Sequence, residues 1–452
     1  MTTGIEVRIP GHLWGRLWEE VRRPGPREPV VFGLVSHAQT LNRTLLLVRD
    51  VIVPPTTAFV ESKAHGAKWT GAYNISLLNE ALERGLGILI FHYHSGTAQV
   101  RMSEDDKTSA RQLLSAFQMV APGRPHGSVV LGDCSAGGLI LVPGTSRISK
   151  NFRLRFFSDE MTTFPILAAN AADLLSHQSQ PLLEGKVTRS KLANLVVAVV
   201  GLSGGGTQVA RHLACQGVGE LIGIDAQRVT RDNLLATGEF GWLDILLRRR
   251  KTSVVRSQVW WINRHVRFTA VNAFVPEPPT IAALKRADLI VGCVNNLNAR
   301  ADLQEIAWRY CIPYVDVGLG LYPLNPNDEL SEIGAISGNL FVALPGGACL
   351  WCTGFLSDEK IQLEAGGDRS YLRTKLARSR QNSAAYVASF NGVLASLAAS
   401  DVLQLSLDYA STIAVRKQFD ALSGAVSEVV VKKNPHCPKC SSVLAAGDPL
   451  WQ

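Results

Sequence analysis

This 452-residue chain contains no run of roughly 18 apolar residues, so no transmembrane helix is expected. Its first residues, MTTGIEVRIPGHLW, lack the basic-then-apolar pattern of a secretory signal, and the expected location is cytoplasmic. Internal repeats and low-complexity tracts are missing, which excludes solenoids and disordered arrays. Lys and Arg exceed Asp and Glu by enough to give a net charge of +8, but they are scattered. No basic stripe marks a nucleic-acid surface. No cysteine falls between Cys352 and Cys437, which bears on thiol chemistry below.

What is present points to enzymology. The length predicts two or three domains. Val196–Val200 is a β-branched apolar run, followed by the turn Gly201-Leu202-Ser203-Gly204-Gly205-Gly206. Val209, Ala210, Leu213 and Ala214 then recur at helical spacing. Leu221-Ile222-Gly223-Ile224 reads as the next strand, and Asp225 ends it, about 20 residues beyond the turn. This is the pattern of a nucleotide-binding βαβ unit. Glycines let the backbone approach a phosphate, the helix N-terminus directs amides at it, and the strand-end carboxylate reaches ribose hydroxyls. The turn alone is equally compatible with ATP and with a nicotinamide dinucleotide.

Further strands are predicted over 287–293 and 312–317, with a helix over 254–263 entered through Arg248-Arg249-Arg250-Lys251. In an open parallel sheet ligands sit beyond the carboxyl ends of strands, where Asp225, Asn233 and Asn295 fall. Lys251 is placed to give a positive charge to phosphates. Cys349/Cys352 and Cys437/Cys440 form two C-x-x-C pairs. Four thiolates make a closed tetrahedral zinc site, hence a structural one. Cys134, Cys215, Cys293 and Cys311 lie singly in apolar surroundings, and Cys215, Cys293 and Cys311 read as small core residues.

Nearer the amino end, the apolar run Gly87–Phe91 leads into His92-Tyr93-His94. Two histidines one residue apart on a strand project to the same side and can share a metal ion. Ser103-Glu104-Asp105-Asp106 follows, then a helical stretch over 107–117 that Ser103 can cap. Asp106, on the first turn, can add a carboxylate. His92, His94 and Asp106 leave a fourth position open for water, as a hydrolytic zinc enzyme requires.

The set His92-x-His94…Ser103-x-x-Asp106 resembles the JAB/JAMM (MPN-domain) metalloprotease family, over roughly residues 4–145. The resemblance implies catalytic zinc on His92, His94 and Asp106, an oxyanion-stabilising Ser103, and a glutamate general base on an early strand. Glu28, ahead of Val30-Val31-Phe32-Gly33-Leu34, is the choice for that base, with Glu61 as runner-up. The expected reaction is cleavage of peptide or isopeptide bonds after ubiquitin-like tails.

The order of pieces over about 190–445 is similar to that of the ThiF/MoeB/ubiquitin-activating enzyme superfamily. That resemblance rests on Gly201–Thr207, Gly217-Val218-Gly219, Asp225, Asn233-Leu234, Lys251, Asn295-Asn296…Arg300 and the paired cysteines. It implies a Rossmann-like fold that binds ATP and Mg²⁺ and adenylates the C-terminal glycine of a ubiquitin-like or sulfur-carrier protein. Gly201, Gly204 and Gly206 would cradle the phosphates, Asp225 hold the ribose, and Asn233 and Lys251 contact phosphates. It also implies a homodimer and, in some pathways, a conjugating enzyme as a further partner. Ser203, Gln227, Ala236, Asn295 and His177 depart from the family pattern. With no thiol between the zinc pairs, the acyl-adenylate is expected to pass directly to another protein's thiol or to a sulfur donor.

The expected architecture is therefore α/β throughout. A JAMM-like domain with a central sheet spans 1–150, a structured connector 151–189, and a ThiF-type adenylation domain with a structural four-cysteine zinc site 190–452. Arg147, Arg153 and Arg155 are expected on a solvated face. The expected function is zinc-dependent processing of a ubiquitin-like carrier together with its ATP-dependent activation. The alternatives are an active peptidase carrying a non-catalytic, carrier-binding ThiF-like domain, and a nicotinamide-dependent oxidoreductase.

Overall fold

The computed structural model describes residues 4–25, 28–60, 68–95, 100–133, 135–157, 186–323, 333–365, 387–407 and 413–449. Glu61, Cys134, His177 and most of the expected connector lie outside these residues. The chain forms two compact units. One is Met1–Ala168 with Trp308–Cys311 and Val443–Gln452; the other is Ala169–Ala307 with Ile312–Ser442.

The first unit runs β1 (Gly4–Ile9), α1 (Gly11–Val21), β2 (Val30–Gln39), β3 (Arg43–Ile52), α2 (Gly71–Glu83), β4 (Gly87–Tyr93), α3 (Glu104–Val120), β5 (His126–Leu131), β6 (Ala136–Leu141), β7 (Ile148–Ser149) and β8 (Phe152–Phe156). These strands make one mixed sheet in the order β7-β6-β5-β4-β2-β3-β1-β8. Strand β4 is central, antiparallel to β2 and parallel to β5. Its unbroken apolar sequence follows from cover on both faces. Leu89 and Phe91 join the cluster under Leu13, Trp14, Leu17 and Val21 of α1, whereas Ile88 and Ile90 join Leu77, Leu78 and Ala81 of α2 and Phe117 of α3. Strand alternation carries His92 onto the same face as Ile88 and Ile90, the face that α3 covers.

Strand β8 extends the sheet past residue 150 and corrects the expectation for two arginines. It pairs in parallel with β1, so Arg153 and Arg155 are partly buried and flank buried Glu6 in place of a fully solvated face. Burial alone would raise the pKa of Glu6. The guanidiniums of Arg155, Arg8, Arg43 and Arg153 outweigh that and hold the carboxyl well below its usual range.

His126, at the start of β5, is fully buried. Its Nδ1 accepts from the Ile88 amide at 3.3 Å and its Nε2 faces the Ala121 carbonyl, also at 3.3 Å. This pairing suits the neutral imidazole with its proton on Nε2; a second proton on Nδ1 would meet an N–H. Burial lowers its pKa from 6.5 to about 4, against a small upward pull from the Ala121 carbonyl. Because the folded pKa lies below the unfolded one, stability is unaffected above pH 6.5. It falls as the pH drops from 6.5 towards about 4, by up to about 3 kcal/mol. Denaturant titrations at pH 7 and pH 5 should show this loss, and a His126→Gln variant should lack it. An equal pH dependence in the variant would reject the assignment.

The second unit runs α4 (Lys186–Ala193), β9 (Val196–Val200), α5 (Gly204–Cys215), β10 (Glu220–Ile224), α6 (Arg231–Thr237), α7 (Trp242–Leu246), α8 (Lys251–Ile262), β11 (Arg267–Val271), α9 (Pro278–Leu284), β12 (Leu289–Gly292), α10 (Leu297–Arg309), β13 (Tyr314–Pro323), β14 (Ile333–Ala343), α11 (Asp358–Ala365), α12 (Ala388–Leu407), β15 (Arg416–Asp420), β16 (Ala425–Val429) and α13 (Pro438–Ser442). Its sheet order is β11-β10-β9-β12-β13-β14-β15-β16, parallel from β11 to β13 and antiparallel thereafter. From β9 the chain steps first to β10 and β11 on one side, then to β12 and β13 on the other. The glycine turn after β9 thus lies at the topological switch point, where open α/β sheets bind ligands. Helix α12 is long and apolar enough by composition to cross a membrane. Here Leu394, Ala395, Ala398, Ala399 and Val402 are buried, and the helix packs on α5 and β13.

Candidate functional site

In the second unit the turn is built by steric necessity. Gly201 has φ +87°, and a Cβ there would lie 2.6 Å from the Cys293 carbonyl oxygen. A Cβ on Gly206 would lie 1.9 Å from the Gly201 carbonyl oxygen. Ser203 has φ −119°, which a side chain tolerates, so a non-glycine there leaves the turn intact. Ser203 is the N-cap of α5 and makes no side-chain capping bond, so the amides of Gly204, Gly205 and Gly206 are not capped from it. That is the geometry an anion requires.

A cleft of about 1020 Å³ opens in front of this turn and is lined by Gly201, Ser203, Asp225, Asn233, Lys251 and Asn295, among others. Gly201, Asp225, Asn233, Lys251 and Asn295 are therefore gathered at one place, while Gly204 and Gly206 lie buried in the first turn of α5 behind the lining. Asp225 Oδ2 accepts from the Leu202 amide at 2.9 Å and Oδ1 from the Gln227 amide at 2.8 Å. Each oxygen keeps a lone pair for a hydroxyl. Lys251 is 3% exposed, and its Nζ donates to Gln227 Oε1 at 2.7 Å and lies 3.6 Å from Asp225 Oδ2. Asn233 Oδ1 accepts from the Thr230 amide at 2.9 Å, and its Nδ2 donates to Ser203 Oγ at 3.3 Å. Asn295 is exposed at the rim.

Arg300 points elsewhere. It is buried, paired with Asp316, and donates to the Val294 and Val317 carbonyls. Cys293 borders the cleft, but burial pushes its thiol up to about 12. Cys311 is buried and likewise pushed up to about 12, while Cys215 is exposed and so departs from the core position expected of it. Sequence reasoning missed Arg228 and Arg250, which also line the cleft. They meet through an antiparallel bridge that no local pattern announces.

The four paired cysteines converge. Sγ separations are 3.7 Å for Cys349–Cys352, 3.7 Å for Cys349–Cys437 and 3.4 Å for Cys352–Cys440. A tetrahedral ion with bonds of about 2.3 Å puts sulfurs roughly 3.8 Å apart, so this set can hold zinc with little adjustment. The Asn434 amide donates to Cys352 Sγ at 3.4 Å, as thiolate ligands favour. Purified protein is expected to carry a metal ion that Cys349→Ser removes, with a lower melting temperature. Metal analysis beside a thermal melt checks this, and unchanged metal content would show that the thiols do not hold it.

In the first unit a second constellation forms. Val30 of β2 pairs with His92 of β4 in antiparallel register, and continuing that register sets Glu28 opposite His94. Glu28, His92 and His94 present ligand atoms within 4.8 Å of one another. Asp106 Oδ2 lies 3.8 Å from His92 Nε2 and 3.7 Å from His94 Nε2; Glu28 Oε1 lies 3.4 Å from His94 Nε2. Among the described residues His92 Nε2 is buried without a hydrogen-bond partner, with the Asp106 carboxylate 3.8 Å away. A tetrahedral ion bound at about 2.0 Å spaces its ligands roughly 3.3 Å apart, so Asp106 Oδ2 needs to approach each imidazole by a few tenths of an ångström to share a zinc ion with them.

Ser103 and Asp106 form a capping box on α3. Ser103 Oγ donates to Asp106 Oδ2 at 2.6 Å and accepts from the Asp106 amide at 3.1 Å. His92 beside it, and then the Ser103 bonds, hold the Asp106 carboxyl well below its usual range against the opposing effect of burial. In this arrangement Ser103 orients the carboxylate, and donation to an oxyanion requires its bond to Asp106 to open.

The switch-point turn, the strand-end carboxylate and the buried lysine define a nucleotide-binding protein of Rossmann type. A model of the ThiF family matches residues 175–439, and the chain belongs to that family. It is 24% identical over 247 residues to the molybdopterin-synthase adenylyltransferase of Escherichia coli (strain K12), covering 54% of this chain and 86% of that protein. It is 28% identical over 156 residues to the sulfur carrier protein ThiS adenylyltransferase of the same organism, covering 33% and 61% respectively. Among solved structures, E. coli MccB with MccA-N7isoASN matches 56% of this chain and 69% of its own, at 22% identity and a TM-score of 0.44.

Proposed function

We propose that the second unit uses ATP and Mg²⁺ to adenylate the C-terminal glycine of a ubiquitin-like or sulfur-carrier protein. We propose further that the first unit is a zinc peptidase acting on that same carrier. The observation that carries the first part is the convergence of the glycine turn, Asp225, Asn233 and Lys251 on one cleft in a ThiF-family chain. The related adenylyltransferases support the reaction type. Asp225 would hold the ribose, the Gly204–Gly206 amides and Asn233 the phosphates. Lys251 would leave Gln227 to neutralise charge building on the α-phosphate as the carrier carboxylate attacks it and pyrophosphate departs. Mg²⁺ would supply further charge neutralisation, with Asn295 as an oxygen donor at the rim. Incubation with candidate Gly-terminated carriers should give carrier-dependent exchange of pyrophosphate into ATP; tight carrier binding with no exchange would instead support a recruiting role. That second reading is favoured by the neutral Asn295 at the rim.

For the peptidase, the supporting observation is the buried His92 Nε2, without a hydrogen-bond partner among the described residues, close to His94, Glu28 and Asp106. His92, His94 and Asp106 would hold the ion, which would supply Lewis-acid chemistry. Glu28 Oε1 would take the proton from the attacking water and pass it to the leaving amine. A carrier fused to a reporter should be cleaved by the full chain, and chelation should stop cleavage; cleavage that resists chelation would sink this half.

A further inference from the structure

We propose that Arg228 and Arg250 form a guanidinium clamp that grips the polyphosphate of the nucleotide in the ThiF-type cleft, an inference that rests on the nucleotide-activating reading above. Both line the cleft beside Asp225 and Lys251. An isolated antiparallel bridge joins their backbones, so two cationic side chains start from neighbouring points at one wall. Each guanidinium is anchored by a carbonyl: Arg250 Nη1 donates to Ala226 O at 3.2 Å, and Arg228 Nη1 donates to Arg248 O. Neither makes an ion pair with a carboxylate among the described residues, and the carbonyl anchors leave their charge uncompensated.

The neighbouring cations differ. Arg249 is paired with Asp244 at 2.8 Å, Arg231 sits over the Trp242 ring, and the charge of Lys251 is shared with Asp225. Two like charges rising from neighbouring backbone points on one cleft wall disfavour each other, and an anion with several charged oxygens that reaches both reverses the sign of that interaction. A guanidinium fork matches phosphate oxygens in pairs, which an ammonium does not. Asp225 and the glycine turn suit the ribose and the nearer phosphate. The arginines, following Asp225 along the wall, suit the phosphates beyond, which ATP has and AMP lacks.

The test is calorimetric titration of the full-length protein with ATP, AMP and adenosine in Mg²⁺ buffer. Arg250→Ala should weaken ATP roughly tenfold, and a double variant that also carries Arg228→Ala should weaken it more. AMP should change little and adenosine not at all, which also shows that the cleft remains folded. Arg250→Lys should recover only part of the loss. Unchanged ATP affinity in the double variant, or equal loss for adenosine and ATP, overturns the clamp. Wild-type protein that binds no nucleotide overturns the nucleotide reading itself.

Discussion

Lys251→Ala is expected to lower carrier-dependent pyrophosphate exchange by about 10²–10³-fold, the usual cost of removing one preorganised group that faces developing charge. The position explains the size. Lys251 opens helix α8 and is almost fully buried, so its ammonium is desolvated on the protein side and faces the cleft. Gln227 and Asp225 hold it in place without neutralising it in one tight pair: the nearer partner, at 2.7 Å, is an uncharged amide, and the carboxylate lies 3.6 Å away. The ammonium can therefore turn to a phosphate at small cost. Removing it leaves Asp225 and the nucleotide repelling each other across a low-dielectric gap. Carrier binding should survive, because nothing in this change touches the carrier tail. Exchange at the wild-type rate in Lys251→Ala, with ATP saturating, would remove Lys251 from the mechanism.

The parts of the molecule that sequence disclosed are those whose signal is local. Strand β9, its glycine turn, α5 and Asp225 occupy one continuous stretch, and each residue type answers a constraint within it. The φ of Gly201 is one such constraint; the approach of Gly206 to the Gly201 carbonyl is another. The paired cysteines were equally legible, since thiols at this spacing have few other uses. Legibility failed where a partner sits far away in sequence. Arg153 and Arg155 look like a solvated face until β8 is laid against β1, where Glu6 waits. Arg228 and Arg250 become neighbours only through their bridge.

Element bounds depend on such particulars too. Helix α2 starts at Gly71 because the Thr70 side chain accepts from the Tyr73 amide, a cap hidden in an otherwise weak pattern. Strand β3 runs unbroken from Arg43 to Ile52, although Arg49 and Asp50 interrupt its apolar pattern, because the register with β2 passes over Arg49 between Leu34 and Val35 and resumes with Asp50 opposite Leu34. Glu28, chosen for its place ahead of Val30–Leu34, has a position that depends on register. The antiparallel pairing of β2 with β4 brings Glu28 to the histidines, and Glu61 lies outside the described residues.

That register gives the second large effect. Glu28→Gln is expected to slow cleavage of a carrier fusion by about 10²–10⁴-fold while leaving bound zinc in place. His92→Ala is expected to abolish cleavage and to remove the zinc of the first unit. The two variants separate because the residues do different work. Glu28 Oε1 lies 3.4 Å from His94 Nε2, opposite the strand end, and on the proposed assignment it would take a proton from a water beside the ion, with His92, His94 and Asp106 as the holding atoms. Glutamine preserves the shape and loses the proton acceptor. Among the described residues His92 Nε2 is buried with no hydrogen-bond partner, and on the proposed assignment loss of the imidazole would leave His94 and Asp106 as a two-ligand site, too few for a stable tetrahedral ion. The four-cysteine site should keep its own metal in both variants, so metal analysis reads one equivalent lost in His92→Ala and none in Glu28→Gln. If Glu28→Gln also lost that equivalent, Glu28 would be a ligand and the base would have to be sought elsewhere. If His92→Ala kept both zinc and activity, the first unit would not be a zinc peptidase of this design.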